Sequence, residues 1–297
     1  MTTDALHLHS EMRLSHWLAL TKFRISAVST LTAAMGYIAY SRQVTLGLLS
    51  AVTGTLLLAM AASALNEVQE SHIDAQMERT RNRPLPSGVV SSRAATGLAL
   101  ILAGLGTAIL YATRGDIPAL LGLLAMVWYN GVYTPLKRVT AFAVVPGSVI
   151  GALPPAIGWS AAGGALSEPA LLALCFVFFM WQVPHFWILS LRHQHDYARA
   201  GFPTLGKLFS SAQIQRLIFT WTSASVAASG LILVFQAVSG VVASIIVIAA
   251  GAWLVWRFSW MLRAGSDDKR LRASFMDINC YALVLMAAVM LDNLIGR

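Results

Sequence analysis

Apolar stretches of roughly 20 residues alternate with shorter polar segments along nearly the whole chain of 297 residues. A helix needs about 20 apolar residues to cross a bilayer, whereas a membrane β-barrel shows shorter segments of alternating polarity. The pattern therefore predicts an all-α, polytopic membrane helical bundle, with an N-terminal tail at 1–17 and a single transmembrane domain at 18–297. The nine predicted spans are approximately 22–40, 46–65, 95–113, 117–134, 141–160, 168–190, 214–236, 240–258 and 275–293.

The distribution of charge sharpens this picture. Charged residues make up 11% of the chain, against about 25% in a typical soluble domain, which excludes a soluble protein. The net charge of +8 does not indicate nucleic-acid binding, because the basic residues lie between the apolar runs. In the nine-span scheme every Lys and Arg except Arg42, Arg114 and Arg297 falls on one side. The positive-inside rule then places the N-terminus and the long polar segments in the cytoplasm.

The end of the second span carries the first candidate chemistry. Asn66, Glu70 and Asp74 are spaced i, i+4, i+8 and share one face of a helix. An amide and two carboxylates are oxygen ligands of the kind that suit Mg²⁺, which commonly bridges to substrate phosphates. Arg79, Arg81 and Arg83 follow at once, so acids and cations together indicate a phosphorylated substrate. The alternative is a solvated helix end with topogenic arginines.

A second acidic and basic segment follows the sixth span. Asp196 lies near Arg192 and Arg199, which suggests that two motifs converge on one diphosphate, although an ordinary loop acid paired with either arginine is the alternative. Lys137 and Arg138 either extend such a phosphate site or serve only as the basic residues that mark the cytoplasmic side of the membrane. Lys22 lies close to apolar sequence on both sides, so it must snorkel or find an anion.

One ionisable residue lies inside an apolar span. His185 occurs in WQVPHFW, residues 181–187, among aromatic side chains. It either ligates or orients a haem-like macrocycle, transfers protons, or packs as a neutral side chain against a neighbouring helix. A different signal, Gly147 and Gly151 followed by Pro154 and Pro155, predicts close helix packing and a kink, with a cavity lined by freed carbonyls as the alternative.

Together these segments resemble the UbiA superfamily of intramembrane prenyltransferases, and within it the branch that acts on haem. The resemblance covers about residues 18–293, with departures at Phe23, Ala143, His195, Thr204 and Gly206. It rests on the Asn66, Glu70 and Asp74 spacing and on MERTRNRPL (77–85), YTPLKR (133–138), GALPPAIGW (151–159), PHFW (184–187) and Asp196 with Tyr197.

The resemblance implies transfer of a farnesyl group from farnesyl diphosphate to a vinyl group of haem B, with addition of water, as a step of haem A biosynthesis. It implies a bacterial inner membrane enzyme whose site faces the cytoplasm, with the next enzyme of that synthesis as a further partner. Its implied Mg²⁺ ligands are Asn66, Glu70, Asp74 and Asp196. Its implied diphosphate-binding residues are Lys22, Arg79, Arg83, Lys137 and Arg138, and its implied haem contact is His185.

Three other functions compete with this interpretation. A sister prenyltransferase that modifies an aromatic acid in quinone synthesis would use the same diphosphate site. A transporter of an anionic lipid intermediate would use similar acids and arginines to hold its cargo. Such proteins often have broken helices near the membrane midplane, whereas the charged motifs of this sequence cluster at one face of the membrane, which favours catalysis. A non-catalytic assembly protein is the third, and measurement of diphosphate release separates it from the enzymes.

Overall fold

A computed structural model of the protein describes residues 13–263 and 268–295, and all regular secondary structure in these ranges is helical. Residues 1–12 of the predicted tail and Arg297 lie outside the described ranges. The predicted start of the bundle at residue 18 falls inside a short helix, Leu14–Leu20. The nine long helices among the described residues are α1 (Phe23–Ser41), α2 (Leu46–Asp74), α3 (Ser92–Arg114), α4 (Asp116–Leu136), α5 (Val144–Ala161), α6 (Pro169–Arg192), α7 (Ser211–Val234), α8 (Val241–Phe258) and α9 (Asp268–Ile295).

In the part of the chain that the structure describes, eight of these helices, α2 to α9, are long and apolar enough to cross a membrane. The all-helical membrane fold is therefore confirmed, while the count of nine spans and the cytoplasmic N-terminus stay predictions. Helix α1 is less apolar because it carries hydroxyl side chains. Ser26, Thr30 and Thr32 are buried and donate hydrogen bonds to backbone carbonyls, which lets α1 pack inside the bundle.

Small residues set the distance between α1 and α5. A side chain at Gly36 would overlap the backbone of Pro155, and one at Gly158 would overlap the backbone of Ala33. In the same way, Gly151 leaves room for Gln182 of α6. The close helix packing predicted around the two prolines is thus confirmed, since backbones approach where side chains are absent.

Two features of the bundle position the functional groups. Within the described residues, the largest core cluster of buried apolar side chains joins α6, α7, α8 and α9 and extends to residues of α1 and α5. In α4 the backbone changes from α-helix to a π-helix at Trp128–Tyr133 before a last α-helical turn, Thr134–Leu136. The π turn alters which side chains at the end of α4 face α2, and such turns occur often at functional sites.

Candidate active site

The last turns of α2 carry four polar side chains into the interior. The 29 residues of α2 span about 43 Å, more than the hydrocarbon thickness of a bilayer. Asn66, Glu70 and Asp74 are all buried, as the shared-face prediction requires, and Glu67 is only 1% exposed. Buried carboxylates need cations or hydrogen bonds to stay charged, so their partners define the site.

The end of α4 supplies the first partner. The Lys137 Nζ lies 2.6 Å from Glu70 Oε2. The Asn66 amide donates to the same Glu70 oxygen at 3.1 Å and to Thr134 Oγ1 at 3.0 Å. One amide therefore connects the carboxylate on α2 with the hydroxyl on α4, and it orients both groups.

Two further cations reach the carboxylates from other segments. Arg83 Nη1 donates to Asp74 Oδ2 at 2.7 Å and lies 3.1 Å from Glu67 Oε1. Lys22 occupies the junction before α1 in a left-handed conformation, with φ of 47°. Its Nζ donates to Asn66 Oδ1 at 3.0 Å and lies 3.5 Å from Glu67. The prediction that Lys22 must snorkel or find an anion is confirmed, because it pairs with Glu67. We call Lys22, Asn66, Glu67, Glu70, Asp74, Arg83 and Lys137 the polar cluster.

An amide pair joins α2 to the π-helical turn beside the cluster. Gln69 Nε2 donates to the Asn130 carbonyl at 3.1 Å, and Asn130 Nδ2 donates to Gln69 Oε1 at 3.1 Å and to the Ala62 carbonyl at 3.0 Å. Arg138 donates to the Gln69 carbonyl at 2.7 Å from an exposed position. Arg138 thus binds the α2 backbone, whereas its neighbour Lys137 faces the carboxylates.

The loop after α6 covers the same end of the bundle. The aromatic ring of Phe202 lies 5.9 Å from Lys137 Nζ. Burial raises the pKa of the Tyr197 phenol. The positive charges of Arg79 and Arg83 act to lower this pKa, and the negative charges of Glu70 and Asp74 act to raise it further. These interactions place the loop close to the polar cluster.

The second acid and the outer arginine lie at the margin of this end. Asp196 is half-buried on the short helix Gln194–Arg199, and Arg79 is exposed. Burial lowers the pKa of His193, and the positive charges of Arg79 and Arg192 act in the same direction. Arg79 therefore lies between the first motif and the loop that carries Asp196.

His185 lies in an aromatic environment on α6. Its ring centroid is 4.7 Å from that of Trp181 and 4.9 Å from that of Phe275 on α9. The adjacent Phe186 contacts Tyr133 of α4 at 6.1 Å, and Lys137 Nζ lies 5.6 Å from the Tyr133 ring. A continuous series of aromatic contacts thus connects the surroundings of His185 with the polar cluster.

The donor groups fit a hard divalent cation, although they do not form a closed metal cage. Within residues 13–263 and 268–295, no three His, Cys, Asp or Glu side chains are grouped so that they enclose an ion. Glu67 Oε2 and Glu70 Oε1 are buried oxygens without a hydrogen-bond partner. Carboxylate oxygens of this kind are the ligands that Mg²⁺ prefers, so the site retains oxygen atoms for a metal.

Sequence reasoning missed Glu67, Thr134 and the pair formed by Gln69 and Asn130. The signal for Glu67 was present, because it precedes Asp74 by seven residues, two helical turns, and so shares its face. Thr134 lies in the YTPLKR segment (133–138) quoted above but had no spacing signal of this kind, and neither had Asn130. Their roles depend on the π-helical turn, which the sequence pattern does not predict.

Comparison with known proteins places this architecture in a family. The UbiA prenyltransferase family matches residues 27–281. A protoheme IX farnesyltransferase of Geobacter sulfurreducens is 45% identical over 186 residues, 63% of this chain and 68% of the relative. The protoheme IX farnesyltransferase of Oleidesulfovibrio alaskensis is 34% identical over 279 residues, 93% of this chain and 96% of the relative.

Solved structures share the fold. A digeranylgeranylglyceryl phosphate synthase has a TM-score of 0.74 at 14% identity, covering 95% of this chain and 98% of that one. A UbiA homologue from Archaeoglobus fulgidus bound to GPP and Mg²⁺ has a TM-score of 0.68 at 16% identity, covering 92% of this chain and 99% of that one. The chain belongs to the UbiA prenyltransferase family.

Proposed function

We propose that the protein transfers the farnesyl group of farnesyl diphosphate to a vinyl group of haem B, with addition of water and release of diphosphate. The observation that carries this proposal is the polar cluster. Lys22, Arg83 and Lys137 come from three separate chain segments and meet at buried carboxylates. A site that is rich in both cations and oxygen ligands suits a diphosphate accompanied by Mg²⁺.

The cations of the cluster bind the leaving group. Lys22, Arg83 and Lys137 face the charge that develops on the diphosphate oxygens when the bond to the farnesyl C1 breaks, and Arg79 and Arg138 add positive charge at the rim. Donors that are already in place lower the barrier without reorganising during the reaction. Asn66, Glu70, Asp74 and Asp196 would hold Mg²⁺, which neutralises part of the charge of the diphosphate.

The aromatic side chains serve the acceptor half of the reaction. The terminal vinyl carbon of haem forms the new bond to C1, water adds its oxygen to the other vinyl carbon, and one proton is released. Tyr133, Phe186 and Phe202 provide apolar walls that keep bulk water from the allylic cation. His185 contacts the haem in this proposal.

The relatives support the choice of acceptor and donor. Proteins that align over most of this chain are named protoheme IX farnesyltransferase, and a family member with the same fold binds GPP with Mg²⁺. We assign the protein to the bacterial inner membrane with the polar cluster at the cytoplasmic side, where most of its basic residues lie. The product would pass to the next enzyme of haem A synthesis.

Mass analysis of haems extracted from membranes tests the proposal. Membranes that contain the protein, incubated with haem B, farnesyl diphosphate and Mg²⁺, should accumulate a hydroxyethylfarnesyl haem together with one diphosphate per product. Chelation of Mg²⁺ and the substitution Asp74→Asn should each abolish the product. A farnesylated aromatic acid would indicate the quinone pathway instead, and an absence of diphosphate release would exclude an enzyme of this class.

A further inference from the structure

One carbonyl in the π-helical turn of α4 has no donor within its own helix. The Thr134 N–H donates to the carbonyl of Tyr129, five residues earlier, as in a π-helix. The next bond of this pattern would join Pro135 to the carbonyl of Asn130, but proline carries no N–H. Gln69 Nε2 of α2 donates to the Asn130 carbonyl instead, at 3.1 Å. The π turn and the proline together leave α4 open to a contact from α2.

The Asn130 side chain attaches the same turn to two points of α2. Its Nδ2 donates to Gln69 Oε1 at 3.1 Å and to the Ala62 carbonyl at 3.0 Å. Ala62 and Gln69 lie about one helical turn before and after Asn66 of the polar cluster. Because the two acceptors lie on opposite sides of this level, their hydrogen bonds oppose sliding of α4 along α2 in either direction.

The attachment is the first of three contacts that join these segments in parallel register. The contacts are Asn130 with Ala62, Thr134 with Asn66, and Lys137 with Glu70. Each step is about one helical turn on both segments. A slip of one residue would bring Leu136 or Arg138 to the level of Glu70, and Leu136 has no charge while Arg138 is larger than Lys137. The register therefore decides which side chain reaches the buried carboxylate.

Stability alone does not explain an asparagine at position 130. Asn130 is 4% exposed, and its Oδ1 has no hydrogen-bond partner among the described residues. A buried oxygen without a partner destabilises a fold, and an apolar side chain of similar size would avoid this cost. A buried asparagine can nevertheless specify the register of two helices, as it does in coiled coils.

From these contacts we infer that Asn130 is a positioning residue, which fixes the register in which Lys137 reaches Glu70 and the leaving diphosphate. This inference rests on the proposed function and adds the residue that sets the position of one of the three cations. Asn130 acts through Lys137 and does not itself touch the diphosphate. A displacement of about 1 Å can lower a rate by about 100-fold, so a small slip of α4 is enough to affect turnover.

A double-mutant cycle between Asn130 and Lys137 tests this role in the full-length protein. Asn130→Leu removes both side-chain donors at a similar volume, and Lys137→Met removes the cation. In the wild-type background, Asn130→Leu should lower kcat for farnesyl transfer to haem B by about 100-fold. In the Lys137→Met background the same change should alter kcat by less than about threefold, because the group that Asn130 positions is already absent.

Asn293 on α9 provides a matched control. It is buried, and its Nδ2 also donates to two carbonyls, those of Ala237 and Val289, each at 2.9 Å. Asn293→Leu should lower the thermal midpoint but leave kcat within about threefold of the wild type. Gln69→Met is a second, milder test in case Asn130→Leu does not fold, because Gln69 is exposed. It should lower kcat by about tenfold, again only when Lys137 is present.

An unchanged kcat in Asn130→Leu, or equal losses in both backgrounds, would overturn the inference, because Asn130 would then not act through Lys137. Failure of the proposed function looks different, since the wild type itself would yield no farnesylated haem. The cycle is then measured on the affinity for an unreactive thio analogue of farnesyl diphosphate with Mg²⁺, where additive losses would again overturn the inference. A wild type that does not bind this analogue would overturn both proposals.

Discussion

Arg83 is a cation whose removal should affect both the stability of the fold and the proposed binding of substrate. It pairs with Glu67 at 3.1 Å and with Asp74 at 2.7 Å, and its side chain is 25% exposed. Arg83→Gln leaves two buried carboxylates short of a cation. Breaking a fully buried pair costs about 3–5 kcal/mol, and access of water to Arg83 reduces the expected loss to about 2–3 kcal/mol.

In the proposed function, the same substitution also removes a donor from the leaving diphosphate. Loss of one preorganised donor in a comparable role lowers kcat by about 100- to 1,000-fold. We therefore expect Arg83→Gln to lower kcat for farnesyl transfer by that factor and to lower the thermal midpoint in detergent. Arg81→Gln is the matched control, because Arg81 is exposed in the same turn, and its rate should stay within about threefold of the wild type.

The double variant Arg83→Gln with Glu67→Gln separates the two effects. In Arg83→Gln, Glu67 keeps its longer contact with Lys22 at 3.5 Å, so neutralising Glu67 should restore part of the lost stability. The rate should not return, because the diphosphate still lacks its donor. Recovery of farnesyl transfer in the double variant would instead show that Arg83 acts only by balancing the charge of Glu67.

Three further predictions concern the frame of the site. Gly158→Ala should destabilise the bundle by about 1–3 kcal/mol or prevent folding, because the added Cβ overlaps the Ala33 backbone. Gly230→Ala is the control, because the space around Gly230 is open; it should be neutral or slightly stabilising in the same thermal scan. Thr80→Val should lower the free energy of unfolding by about 1–2 kcal/mol, because the buried Thr80 hydroxyl donates to the last carbonyl of α2 at 2.9 Å. Thr80→Ser keeps the hydroxyl and should retain most of the stability. Equal thermal midpoints for the two variants would exclude this hydrogen bond as the cause. The pKa of His193 is lowered in the folded state, so the unfolded chain binds the proton more readily and stability should fall as the pH drops through and below about 6.5. His193→Gln should flatten this dependence between pH 7.5 and 5.5. An unchanged slope in the variant would show that His193 is not its cause.

Helical periodicity and charge distribution predicted the parts of the site that lie on one helix. Asn66, Glu70 and Asp74 share a buried face because residues four apart always do so. The apolar runs likewise predicted a bundle whose polar segments meet at one end. These features depend only on neighbours in sequence, so one chain suffices to predict them.

The contacts between side chains of separate chain segments could not be predicted from the sequence. Lys137 and Arg138 are adjacent and chemically alike, yet after the π-helical turn Lys137 contacts Glu70 whereas Arg138 donates to a backbone carbonyl. Similarly, Arg83 reaches Asp74 because the segment between them folds back on the end of α2. Such choices depend on the register of helices far apart in the chain.

The most direct test is a structure of the protein with Mg²⁺ and an unreactive thio analogue of farnesyl diphosphate. We expect the diphosphate to lie among Lys22, Arg83 and Lys137, with its farnesyl chain directed into the bundle. At the opposite end of the bundle a cavity of about 720 Å³ is lined by residues that include Tyr37 and Thr45. Density for the diphosphate in that cavity, or anywhere remote from the three cations, would show that Lys22, Arg83 and Lys137 do not form the diphosphate site.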